Sequence, residues 1–246
     1  MNLSSKIAIL AAVIVAIVVI FFAYTFLLGA FAQLENKQVE RTIIATQNVE
    51  IQATTFNGDI SFGTSTSNQI EVTYDLQAPQ GHMNEITTST TNQTKNDNTE
   101  IIAEAKTEGN GPKVNYRSSI TIKLPNSSQY NLTLTTLNGN IIKPLLNDTK
   151  VVATSENGYI DIKDDNAKFI EASSQNGNVN VELVKGTLFQ VDANAANGHV
   201  TYQGIAMNTT IQTTTQLKGN TTDGLGHLSM TLTSANGNIT IGYFTQ

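Results

Sequence analysis

The sequence predicts an all-β fold, a parallel β-solenoid (single-stranded β-helix or roll) of about 20-residue coils preceded by one N-terminal transmembrane α-helix. Three observations carry it: an Asn-Gly pair with nearly fixed flanks recurs at six places, Thr, Ile and Val alternate with polar residues over most of the length, and one uncharged apolar run stands near the start. Alternation of that kind is the pattern of half-buried strands.

The first element is the apolar run 7–32, 26 residues without a charge. As a helix it reaches roughly 39 Å, enough to cross a hydrocarbon core of about 30 Å. The expected organisation is a short cytoplasmic N-terminus over 1–6, a transmembrane signal-anchor helix over 7–32, a linker over 33–41 and an extracytoplasmic β-solenoid domain over 42–246. Counting Lys6 against Lys37 and Arg41 hardly separates the two sides of the membrane. Because this is the first hydrophobic segment and the rest looks exported, the expectation is a single-pass cell-membrane protein, N-in/C-out. A cleaved leader is the other reading, since Ala30-Phe31-Ala32 ahead of Gln33 has the form of a signal-peptidase site.

The repeat comes next. Its turns are Asn57-Gly58, Asn138-Gly139, Asn157-Gly158, Asn176-Gly177, Asn197-Gly198 and Asn236-Gly237. From Asn138 the intervals are 19, 19 and 21 residues, then 21 to a degenerate Lys218-Gly219-Asn220 and 18 to Asn236. A near-constant period marks one copied structural unit. Aligned on the Asn, four residues earlier stand Ala53, Leu134, Ala153, Ala172, Ala193 and Leu232. Two earlier stand only small residues, Thr55, Thr136, Ser155, Ser174, Ala195 and Ser234. Three later stand Ile60, Ile141, Ile160, Val179, Val200 and Ile239, and the stripe continues two residues further with one exception, Lys143.

Period-two spacing puts each set on one strand face, and the phase changes once across Asn-Gly, so each unit reads strand, corner, strand. Asn and Gly both tolerate positive φ, which suits a corner. Asn-Gly is equally the strongest hairpin signal, and phase alone does not choose. The recurrence of like residues in every column favours coils stacked in register, with the corner Asn side chains forming a hydrogen-bonded ladder. The Lys218-Gly219 unit, with Thr221 in the Ile/Val column, predicts an irregular coil. The stretch 77–98 departs from the repeat and reads as an insertion.

Composition narrows function. Charged residues make up 14% of the chain, against about 25% in ordinary soluble domains, and the formal net charge is −6. An acidic chain without basic patches disfavours nucleic acid as a partner. There is no Cys, so no disulfide or thiolate metal site exists.

The run Ile120-Thr121-Ile122-Lys123-Leu124-Pro125, the Leu-rich strand after Tyr130 and the serial S/T-x-N-G-x-I/V units resemble the widespread prokaryotic putative-adhesin family, a domain of unknown function. The resemblance implies a β-solenoid behind a membrane segment, exposed at the cell surface, with adhesion or envelope-stress roles.

Catalytic candidates are sparse. His82, His199 and His227 stand in unrelated settings without a partner at metal-ligand spacing. Asp161, Asp164, Asp165 and Asn166 form a small acidic loop that lacks any Ca²⁺-binding repeat pattern. No nucleophile elbow or phosphate loop occurs. Tyr74, Tyr116, Tyr159, Tyr202 and Tyr243 are candidate aromatic contacts. The sequence therefore predicts no enzyme, catalytic residue, cofactor or metal. It points to a membrane-anchored, surface-exposed adhesin or envelope-binding protein whose partner, besides the membrane it spans once, is a surface glycan or envelope protein. The alternatives are an envelope structural or regulatory component acting through membrane partners, and, less favoured, a polysaccharide-active β-helix enzyme.

Overall fold

The computed structural model describes residues 33–95, 97–108, 115–222 and 227–244. Among the described residues nineteen strands are divided between two sheets. The first group is β1 (Leu34–Ile44), β2 (Asn48–Asn57), β3 (Ile60–Ser65), β4 (Gln69–Pro79), β5 (Ile86–Lys95), β6 (Asn98–Thr107) and β7 (Arg117–Pro125). The repeat proper runs through β8 (Gln129–Asn138), β9 (Ile141–Lys143), β10 (Asp148–Asn157), β11 (Ile160–Asp164), β12 (Phe169–Ser174), β13 (Val179–Val184), β14 (Phe189–Ala195) and β15 (Val200–Gln203). The chain ends with β16 (Met207–Gln212), β17 (Gln216–Thr221), β18 (Leu228–Ser234) and β19 (Ile239–Phe244). One sheet has nine strands in the order β1-β4-β7-β3-β9-β11-β13-β19-β15, the other ten in the order β16-β17-β14-β18-β12-β10-β8-β2-β6-β5.

This architecture corrects the expected single-stranded parallel β-solenoid. Both sheets are mixed. Parallel pairs fill their middles, but β4 and β1 close one end of the first sheet antiparallel, and β5 at one end and β17 with β16 at the other close the second. The rungs also leave chain order: β2 and β3 lie between β6/β7 and β8/β9, while the last rung, β18/β19, is inserted between β12/β13 and β14/β15. The physical reason is that rungs with identical columns are interchangeable as neighbours. Segments without the columns, such as the Thr-rich β5 and β16, pair as antiparallel hairpins instead. Residues around the degenerate Lys218-Gly219 belong to such a hairpin, with a register shift between Thr209 and Ile211.

The single-pass membrane placement is corrected too. Among the described residues no helix is long and apolar enough to cross a membrane, and the stretch 7–32 that suggested an anchor lies outside them. Residues 34–44, within and just beyond the stretch read as a linker, form β1, paired with β4 along its whole length.

The alternating strands put one face of each sheet into a shared hydrophobic core. In register lie Ala103, Ala53, Leu134, Ala153, Ala172, Leu232 and Ala193 on one sheet. On the other lie Ile120, Ile60, Ile141, Ile160, Val179, Ile239 and Val200. All but Val200 in these columns are buried. Small Ala beside larger Leu and Ile lets facing layers interdigitate at the density of a protein interior.

Candidate functional site at the Asn-Gly corner

Every rung of the repeat passes from one sheet to the other at an Asn-Gly pair, so the corners align along one side of the molecule. The six Asn side chains form an unbroken ladder in spatial order. Asn138 Nδ2 donates to Asn57 Oδ1 at 2.6 Å, Asn157 to Asn138 at 2.7 Å, Asn176 to Asn157 at 2.8 Å, Asn236 to Asn176 at 2.8 Å and Asn197 to Asn236 at 2.9 Å. The ladder skips from Asn176 to Asn236 and back to Asn197, following the stacking order rather than the chain. Each interior Asn uses one amide proton and its carbonyl oxygen, so a different side chain would leave both neighbours short of a partner.

The glycines stack beneath the ladder for a reason other than the one the sequence suggested. None of the six corner glycines has positive φ; among the described residues only Gly81, Gly186 and Gly204 do, with Asp97 and Asn115. Close approach is what demands Gly. A Cβ at Gly139 would lie 2.0 Å from the Gly58 carbonyl oxygen, at Gly158 1.9 Å from that of Gly139, at Gly177 2.0 Å from that of Gly158, and at Gly237 2.2 Å from that of Gly177.

The small-residue column does more than fill space. Thr136 Oγ1 donates to the Gly58 carbonyl, Ser155 Oγ to Gly139, Ser174 Oγ to Gly158 and Ser234 Oγ to Gly177, each at 2.9 Å. Thr55 bonds the Ser118 carbonyl in the same way. A hydroxyl on one rung thus satisfies a buried carbonyl on the next, which accounts for Ser and Thr in that column. The residue after Gly makes a second, interrupted ladder. Asp59 Oδ1 accepts from Asn140 N, Asn140 Oδ1 from Tyr159 N, Asn178 Oδ1 from Asn238 N and Asn238 Oδ1 from His199 N. Tyr159 breaks it, because its side chain offers no acceptor at that place.

Beside the corner a groove of about 780 Å³ runs along the stack on the outer face of the ten-stranded sheet. Its walls are the residues three before each Asn (Thr54, Thr135, Thr154, Ser173, Thr233, Asn194) and one before (Phe56, Leu137, Glu156, Gln175, Ala235, Ala196). Six rungs at about 4.8 Å spacing make it on the order of 24 Å long. Most of its lining surface is apolar, from Phe56, Leu137, Ala105, Ala235, Ala196 and the methyl groups of the threonines; hydroxyl and amide groups are interspersed along it, and Lys106 and Glu156 are its charged residues. Of the tyrosines offered as aromatic contacts, Tyr159 is 44% exposed. Tyr74 is buried, its hydroxyl donating to the Ser89 carbonyl, and those of Tyr116 and Tyr243 donate to Glu85 and to the Thr187 carbonyl. His82 contacts Glu85 at 2.7 Å, and His199 and His227 are exposed.

A second constellation lies in the core. Lys143, the lone exception in the apolar stripe, is completely buried at the end of β9, with its Nζ 2.8 Å from Asp148 Oδ1 and 2.9 Å from Asp164 Oδ2. Asp164, read from the sequence as part of an open acidic loop, is turned inward, and its Oδ1 accepts from the Asn166 and Ala167 backbone N–H groups. Burial pushes the Asp148 carboxyl well above the usual carboxylate range; Lys143 opposes the shift and Asp164 adds to it. The sequence signal was present, since a Lys in a column of Ile and Val needs a buried counter-charge.

No family model matches the chain, and no curated protein matches it. Solved structures do. The chain shares its fold with a putative cell adhesion protein from Clostridium sporogenes. The match covers 85% of this chain and all of that one, with a TM-score of 0.70 at 13% identity. A putative adhesin from Bacteroides fragilis aligns over 85% of this chain and 97% of its own at 13% identity, but with a TM-score of 0.30. At these identities the likeness speaks to fold alone.

Proposed function

We propose that this protein is a non-enzymatic binding module of the adhesin kind, which holds an extended, uncharged segment of a surface glycan or envelope protein in the groove beside the Asn-Gly corner. The observation that carries the reading is the groove itself: a channel in which one column of small polar side chains, Thr54, Thr135, Thr154, Ser173, Thr233 and Asn194, repeats from rung to rung. A repeating polymer meets equivalent donors and acceptors at every step, so many weak hydrogen bonds add along its length. The Clostridium sporogenes protein of the same fold, described as a putative cell adhesion protein, accords with this use.

The test is a glycan array probed with the purified protein, followed by titration of each hit against Thr135→Arg and Ser173→Arg, which fill the groove at its middle. The expected result is weak binding, with dissociation constants in the micromolar range or above, lost in both variants. Binding unchanged by either substitution places the contact elsewhere, and turnover of any polysaccharide restores the enzyme alternative.

A further inference from the structure

We propose that Lys143 and Asp148 become joined by an amide bond inside the folded protein, with Asp164 carrying the proton, so that the core holds an internal covalent cross-link between the end of β9 and the start of β10. All three side chains are shut off from solvent, with exposures of 0%, 0% and 1%. Nζ donates to the Lys163 carbonyl oxygen at 2.7 Å and to Asp164 Oδ2 at 2.9 Å. It lies 2.8 Å from Asp148 Oδ1 without hydrogen-bond geometry, and both Asp148 oxygens are buried with no hydrogen-bond partner. A neutral amine has two N–H donors and one lone pair. With both donors engaged by Lys163 and Asp164, the lone pair is left for the Asp148 carboxyl.

The two carboxyls differ in the way the reaction needs. Asp164 accepts hydrogen bonds from two backbone N–H groups at 2.9 and 2.7 Å and from Nζ, an arrangement that suits a proton acceptor. Asp148 has no such donors, and burial favours its neutral acid, the electrophilic form.

The step balances. Asp164 carboxylate takes one proton from the Lys143 ammonium. The freed lone pair forms the N–C bond to Asp148 Cγ. A second Nζ proton leaves with the Asp148 hydroxyl as water when the C–O bond breaks. The products are a secondary amide, one water and a neutral Asp164, so charge is conserved and no oxidant or activating group is required. Held reactants reach effective molarities of about 10⁵–10⁸ M, which drives a condensation unfavourable between free groups. The bond also removes a buried ion pair, whose desolvation costs several kcal/mol per ion.

The experiment is the intact mass of the denatured full-length protein, with Lys143→Arg as the unmodified reference. The wild type is expected to fall short of its sequence mass by one water. Trypsin cuts after Lys123 and Lys150 but not between Lys143 and Pro144, so the deficit should reside in the single peptide 124–150, with no fragment ions from inside 143–148. Asp164→Asn should keep the full mass while retaining a cooperative unfolding transition. A folded wild type with full mass overturns the proposal. So does a cross-link joining peptide 124–150 to peptide 164–168, which would make Asp164 the acylated residue. An Asp164→Asn protein that still loses water removes Asp164 from the role. Should Lys143→Arg fail to fold, its denatured mass remains the reference.

Discussion

Replacing Gly158 by Ala tests why these corners contain glycine. The added Cβ would stand 1.9 Å from the Gly139 carbonyl oxygen and 2.5 Å from its carbonyl carbon, both backbone atoms that cannot swing aside. Reaching even 3.0 Å requires the two rungs to part by about 1.1 Å at the corner. That separation breaks the bonds bridging them there: Gly139 N to Asn157 O at 3.1 Å, Ile141 N to Tyr159 O at 3.0 Å, Asn157 Nδ2 to Asn138 Oδ1 at 2.7 Å and Tyr159 N to Asn140 Oδ1 at 3.1 Å. At about 1 kcal/mol net for each of the four bonds, with overpacking adding about 1–3 kcal/mol, the expected loss is about 5–7 kcal/mol. Urea unfolding followed by circular dichroism reads it as a lower midpoint at unchanged slope. Gly242→Ala is the control, because nothing lies within 4 Å of its Cβ and its φ is not in the left-handed region. There the unfolded chain loses freedom and the protein should gain about 0.4–1 kcal/mol. If Gly158→Ala stays within about 0.5 kcal/mol of wild type, close approach is not what requires glycine.

Three further outcomes follow from the same contacts. Asn176→Leu removes the bond given to Asn157 and the bond received from Asn236, so urea denaturation should show a loss of about 1–3 kcal/mol; a change under about 0.5 kcal/mol would mean that the ladder carries no stability. Ser174→Ala strips the Gly158 carbonyl of its hydroxyl donor and should cost about 1 kcal/mol, with no loss at all denying that the small-residue column works through hydrogen bonding. Ile160→Ala opens a cavity in the core and should cost about 2–5 kcal/mol, whereas Lys163→Ala, which breaks an exposed pair with Glu182, should cost less than about 1 kcal/mol; comparable losses for the two would contradict the burial described.

The column structure was legible in the sequence because each rung repeats the same side chains, and Ile60, Ile141, Ile160, Val179 and Ile239 are all fully buried. The order of the rungs was not. Equal columns say that rungs are equivalent, not which ones touch, so nothing in Asn236 announces that it sits between Asn176 and Asn197. The antiparallel ends were hidden for a related reason: β1, β4, β5, β16 and β17 carry no Asn-Gly pair to mark their place. A glycine at each corner suggests positive φ in the sequence, since a carbonyl from a neighbouring rung is invisible in one dimension. The groove arises only when outward residues of separate rungs align, and the Lys143 cluster only when residues 143, 148 and 164 meet.

The corner ladder also bears on chemical ageing. Asn-Gly is the dipeptide most prone to deamidation, because the glycine nitrogen readily attacks the Asn side-chain carbonyl to close a succinimide ring. Here the Asn amides are tied between rungs, and the Gly58 and Gly139 nitrogens already donate to the carbonyls of Asn138 and Asn157. Ring closure requires those bonds to release, so the fold itself acts as a preservative. At those two corners the link most open to this reaction is shielded for as long as the rungs stay stacked.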